Sequence, residues 1–183
     1  MRASHFSPVT LPMCYFLYLA SPLTLSEVRS MLPPRTVADL AGFVAQQALK
    51  TQHPDAQTVA RVLTGRCSCD LMRPRQVDAR EDERHLRERY RQLGVPRHLV
   101  ITALERHRRG AGLRTPAGGW PKALAAFVAE HARNAGPTLY HLTFSPADDA
   151  LGPVGSVRDI SVGKVLAEPE AWLVEGSPAL VSR

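Results

Sequence analysis

Cys14-Tyr15-Phe16-Leu17-Tyr18-Leu19-Ala20 runs for seven residues without a charge and ends at Ser21-Pro22. An apolar run this short, rich in aromatic residues and bounded by a turn signal, reads as a buried strand. Just beyond it, Thr24 with Glu27 three positions on makes a capping box. This predicts a short helix through Val28, Met31 and Leu32 that Pro33-Pro34 stops. Over residues 36–50, Val37, Leu40, Ala41, Val44, Ala48 and Leu49 come at near-helical spacing, so a helix is expected there. Thr58-Val59-Ala60-Arg61-Val62-Leu63 alternates as a strand does, and Gly65 ends it just before Cys67-Ser68-Cys69.

Farther along, Asp78 and Glu81 open a helix with the apolar stripe Leu86, Tyr90 and Leu93, and Gly94 closes it. Pro96 occupies the first turn of the next helix, whose apolar face is Leu99, Val100, Ala103 and Leu104, so the two form a helical hairpin. Residues 110–119 hold four glycines and Pro116, a loop or lid, and Pro121 restarts a helix that Gly136 stops. Residues 138–144 then read as a strand with Tyr140, Leu142 and Phe144 on one face. A short helix over 160–166 and a terminal strand over 179–181 complete the order. Alternation of this kind favours an α/β or α+β domain over residues 13–183, a small sheet covered by helices that include the Arg-rich hairpin. Crossovers this long permit parallel pairing.

The 183 residues, 44% apolar and 22% charged, exclude a wholly disordered chain and a multispan membrane protein. No apolar run reaches the roughly 18 residues a spanning helix needs, so no membrane partner is expected. Arg2 precedes the apolar stretch 9–20, but Pro12 interrupts it and Leu19-Ala20-Ser21-Pro22 is a poor cleavage site for a signal peptide. Three cysteines are an odd number, and Cys67 and Cys69 are too close for an ordinary disulfide staple, so a cytoplasmic location is expected. Residues 1–12, with two prolines and no periodic pattern, are expected to be a disordered tail or to precede a true start at Met13.

The chemistry in the sequence centres on those thiols. Cys14 begins the first strand, and Cys67 and Cys69 follow the second. If these strands are neighbours with suitable register, three thiols converge at one edge of the sheet. Three thiolates are a partial ligand set for zinc, with a histidine to complete the tetrahedron, His141 on a strand or His131 at the end of the preceding helix. The same residues suit thiol redox chemistry: a strained Cys-x-Cys pair is easily reduced, and Arg66 beside it favours the thiolate. In that role Cys67 and Cys69 are central and Cys14 auxiliary. Simple packing is the plainest alternative, since free cysteine is among the most buried residue types.

Met13-Cys14-Tyr15, Leu17-Tyr18-Leu19-Ala20-Ser21, Gly65-Arg66-Cys67-Ser68-Cys69, Thr138-Leu139-Tyr140 and a closing segment with Trp172 together resemble a group of small, uncharacterised bacterial proteins. Those begin Met-Cys and carry a Gly-Cys-x-Cys-Gly type motif at the end of a second strand. Arg66 and Asp70 stand where glycines are usual, and the Arg-rich hairpin is longer. The resemblance implies no activity, but it favours Met13 as the start. The Met-Cys start is also similar to that of glutamine amidotransferases, in which an N-terminal cysteine uses its own amine as general base. None of their further motifs is present.

From Arg73 to Arg109, 11 Arg stand against 6 acids. A nucleic-acid-binding module using Arg84, Arg87, Arg91, Arg106, Arg108 and Arg109 is the second functional class. Against it, Glu81, Asp82, Glu83 and Glu88 interleave with Arg84, Arg87, Arg89 and Arg91 at the spacing of solvated ion pairs. A structural or partner-binding protein without a catalytic site is the third.

Overall fold

The computed structural model describes residues 14–65, 67–72, 79–111, 120–145, 151 and 154–183. The chain divides into two compact units, Cys14–Gln76 with Pro116–Arg183 in one and Val77–Thr115 in the other. Among the described residues the first unit is an α/β structure built on one six-stranded mixed sheet. Its strands are β1 (Cys14–Ser21), β2 (Val37–Leu40), β3 (Thr58–Leu63), β4 (Thr138–Ser145), β5 (Arg158–Ser161) and β6 (Ala179–Ser182), in the order β2-β3-β1-β4-β6-β5. All neighbours are antiparallel except β5 and β6, the one pair that takes the parallel option.

β1 is central, and its uninterrupted apolar run is explained by cover on both faces. Leu17 and Leu19 face one side. They pack with Val28 of α1 (Leu25–Met31), Leu71 of α3 (Cys69–Met72), Val165 of α7 (Val162–Ala167), and Leu124, Phe127 and Val128 of α6 (Trp120–Ala135). Phe16, Tyr18 and Ala20 face the other side against Ala45 and Leu49 of α2 (Phe43–Gln52). The capping box at Thr24 and Glu27 forms as the sequence predicts.

Two segments differ from expectation for the same reason. Residues 36–50 do not make one helix: Val37–Leu40 pairs with Leu63 to Ala60 of β3, and Gly42, in an extended conformation, caps a helix that begins at Phe43. Phe43 and Val44 are exposed, while Ala41, Ala45 and Leu49 are buried. Likewise Arg158–Ser161 joins β6 as an edge strand, and Ser161 caps α7, accepting from the Lys164 N–H at 3.2 Å. In both places an open sheet edge took a segment whose local periodicity suited a helix.

The second unit holds α4 (Ala79–Gln92) and α5 (Arg97–Ala111), the expected helical hairpin. Gly94, at φ 65°, makes the turn that a side chain would strain. Leu86, Tyr90, Val100 and Leu104 are buried, but Leu93 is exposed. Arg87 pairs with Glu83 at 3.1 Å and Arg91 with Glu88 at 2.8 Å, both at the exposed surface. Among the described residues no helix is long and apolar enough to cross a membrane. The expectations for residues 1–12 and for most of the loop at 110–119 fall outside the described residues.

Candidate functional site

Because β1 and β3 run antiparallel, the start of β1 and the end of β3 lie at the same end of the sheet. The last paired rung is Leu17 with Val62, which leaves Cys14, Tyr15 and Phe16 projecting past the ladder's described register. The chain leaves β3 through Gly65, at φ 91°, a conformation that glycine alone adopts without strain. It then doubles back, with the Thr64 N–H donating to the Cys67 carbonyl at 2.9 Å. The returning segment lies along β1 as a partial continuation of β3. The Ser68 N–H donates to the Tyr15 carbonyl at 2.8 Å, and the Tyr15 N–H donates to Cys69 Sγ at 3.4 Å.

Ser68 locks this arrangement. Its hydroxyl accepts from the Leu17 N–H at 2.8 Å and donates to the Val62 carbonyl at 2.5 Å, bridging the two residues that face each other across β1 and β3. The side chain is wholly buried. Ser68 therefore points into the sheet while Cys67 and Cys69 flank it. The sulfurs of Cys14, Cys67 and Cys69 all lie within 4.8 Å of one another. Each cysteine is half-buried and unoxidised.

The electrostatics differ from a simple activated thiolate. Hydrogen bonds to Cys67 and then Cys69, followed by burial, push the Cys14 thiol far above its ordinary range. At Cys69 the hydrogen bond with Cys14 favours the thiolate. The bond to Cys67, burial and the neighbouring Cys67 charge outweigh it, despite help from the Tyr15 N–H, and push Cys69 up to about 11. The expected depression by an adjacent cation is not what these two thiols experience. Arg66, the residue named for it, lies outside the described residues.

The histidines do not join the thiols. His141 faces Tyr18 across β1 and β4, four positions from the Cys14–Ser145 rung, which at strand rise is about 13 Å away. It is fully buried, and neither ring nitrogen has a hydrogen-bond partner among the described residues. His131 lies at the opposite end of β1, where Nε2 meets Ser21 Oγ at 2.8 Å and Nδ1 meets the Tyr140 hydroxyl at 2.8 Å. Both its nitrogens are thus engaged, and burial lowers its pKa to about 4. Ser21, His131 and Tyr140 are each shut off from solvent, so the chain pins β1, α6 and β4 together. The side chains of His85, Arg106, His107, Arg108 and Arg109 lie outside what the structure describes.

The sequence analysis missed Ser68 and the Tyr15 N–H. The signal for Ser68 was its place between two cysteines at the end of an apolar strand, where a hydroxyl can stand in for a ladder bond. The Tyr15 N–H gave no signal, since backbone donors are not visible as residue types. Together these features define an α/β protein with a three-thiol cluster at one end of its sheet. No family model, curated protein or solved structure matches the chain.

Proposed function

We propose that this protein binds a thiophilic metal ion, zinc foremost, through Cys14, Cys67 and Cys69. The convergence of three sulfurs within 4.8 Å of one another, from a strand start and a separate loop, carries this reading. Zinc–thiolate bonds of about 2.3 Å set thiolates about 3.8 Å apart around a tetrahedral ion, so the cluster closes on the metal with small side-chain rotations. The N–H donated to Cys69 supports it, because hydrogen bonds to sulfur orient a ligating thiolate. Arrival of the ion displaces the thiol protons that the apo cluster shares. On this reading the Met-Cys start and the Cys-x-Cys pair, which carry the likeness to small bacterial proteins, are two halves of one ligand set. The fourth position is left to water or to a group beyond the described residues.

Cobalt(II) titration of the reduced full chain tests it. An intense sulfur-to-cobalt charge-transfer band is expected, and zinc should abolish it stoichiometrically. C14S, C67S and C69S should each weaken zinc binding by more than the roughly 100-fold that loss of an outer partner brings. Absence of the band, with thiol alkylation equally fast with and without zinc, would overturn the metal site. A reversible disulfide between Cys14 and either other cysteine in a chain that takes no zinc would establish the redox role instead.

A further inference from the structure

At β2 the sheet has an open edge, with no described strand beyond it. Of the eight large apolar side chains that are exposed among the described residues, four fall between Val37 and Val44: Val37, Leu40, Phe43 and Val44. Phe43 is 72% exposed and Leu40 57%. The four together leave on the order of 500 Å² open, as large as the biggest apolar patch of an ordinary monomer. We propose that two copies of this protein associate through this edge, β2 against β2, about a two-fold axis at Leu40.

Backbone alternation selects the axis. The Ala41 N–H donates to the Val59 carbonyl at 3.0 Å, so Val37, Asp39 and Ala41 turn their backbone groups to β3, and Ala38 and Leu40 turn theirs to the open side. Arg29 Nε already donates to the Ala38 carbonyl at 2.8 Å, which guards that position against a new strand. An axis at Asp39 would set two carboxylates face to face, an unfavourable cross-strand pair. Leu40 is the outward-facing position that remains. Gly42 is also extended, so antiparallel copies that meet at Leu40 bring Val37 of each towards Phe43 of the other, three residues either side of the axis. Val37 alternates with Ala38 and so lies on the face of the sheet that α2 covers, the side from which Phe43 starts. The apolar side chains are therefore arranged symmetrically about one residue, which is what an isologous contact requires and what a foreign strand would not need. Covering the patch on both copies removes about 1,000 Å² from water, the size at which specific association begins.

The test is sedimentation equilibrium of the full chain up to about 100 μM, with reductant and a chelator present so that neither a disulfide nor a bridging metal joins two chains. A reversible monomer–dimer equilibrium is expected. L40D and F43D should each weaken it by about tenfold or more, because each sets a charge in the covered apolar centre. L166D, at a leucine of α7 that is exposed to a similar degree, should leave it unchanged. Circular dichroism checks that the variants keep their fold, and F43S serves where an aspartate does not. A chain that stays monomeric throughout, a dimer that survives the Leu40 and Phe43 substitutions, or one that L166D weakens as much would each overturn the proposal.

Discussion

Lowering the pH from about 7 to about 4.5 is expected to cost the sheet unit roughly 2–3 kcal/mol for each of two buried histidines. Burial lowers the pKa of His131 to about 4 and of His141 to about 4. In the unfolded chain both titrate near 6.5. Between those values the unfolded state binds more protons than the folded one, so stability rises with pH across that window. The loss therefore sets in as pH falls through about 6.5 and levels off below about 4. Chemical unfolding at a series of pH values, with a chelator present so that metal release adds nothing, measures it. H141L should remove about half of the slope and cost little at neutral pH, since the ring has no described hydrogen-bond partner to strand. H131F should flatten the slope too, but at a price of about 1–3 kcal/mol at neutral pH, because Ser21 and Tyr140 lose their partner. Unchanged stability between neutral pH and about pH 4.5, or an H141L slope as steep as the parent's, would count against buried neutral histidines.

How much of this architecture was legible in the sequence depends on whether a segment's pattern was dictated locally or by its neighbours. β1, β3 and β4 were legible because apolar runs of their length and composition have few alternatives, and the helix at α1 because its capping box is a local device. β2 and β5 were not. Val37 and Leu40 sit at helical intervals with Val44, yet all three end up exposed, because ladder pairing with β3 is worth more to this segment than covering its apolar side chains. Nothing within four residues of Ala38 announces that Val62 lies beside it.

The site follows the same division. That Cys14, Cys67 and Cys69 meet followed from two strands and one condition, adjacency in a suitable register, and antiparallel pairing of β1 with β3 supplies it. His141 failed as a ligand on register alone. It lies on the face of β1 and β4 that also carries Cys14, but four rungs away, and register is a tertiary quantity that the sequence of one strand does not encode. At Cys14 and Cys69 the thiolate is not favoured, because burial and the hydrogen bonds and charge of neighbouring sulfurs, Cys67 above all, outweigh what favours it.

Replacing Ser68 with alanine is expected to destabilise the sheet unit by about 2–4 kcal/mol, more than substitution of either flanking cysteine by serine. A serine next to a cysteine pair would ordinarily be a solvated loop residue, and its loss would go unnoticed. Here its hydroxyl bridges the Leu17 N–H and the Val62 carbonyl, at 2.8 and 2.5 Å, and it is wholly buried. Alanine removes both bonds and leaves a buried donor and a buried acceptor without their partner, the costly half of hydrogen-bond energetics. Threonine retains the hydroxyl but must fit a methyl group where no solvent reaches, so S68T should fall between the two. Because the same side chain holds the loop against β1, S68A should also loosen the thiol cluster and weaken zinc binding by about tenfold while leaving all three ligands in place. Urea unfolding of the metal-free protein reads the first effect and competition with a zinc-sensitive dye reads the second. A change of less than about 0.5 kcal/mol in stability, together with unaltered zinc affinity, would mean that the loop is held by its backbone bonds to Tyr15 and that Ser68 is a passenger.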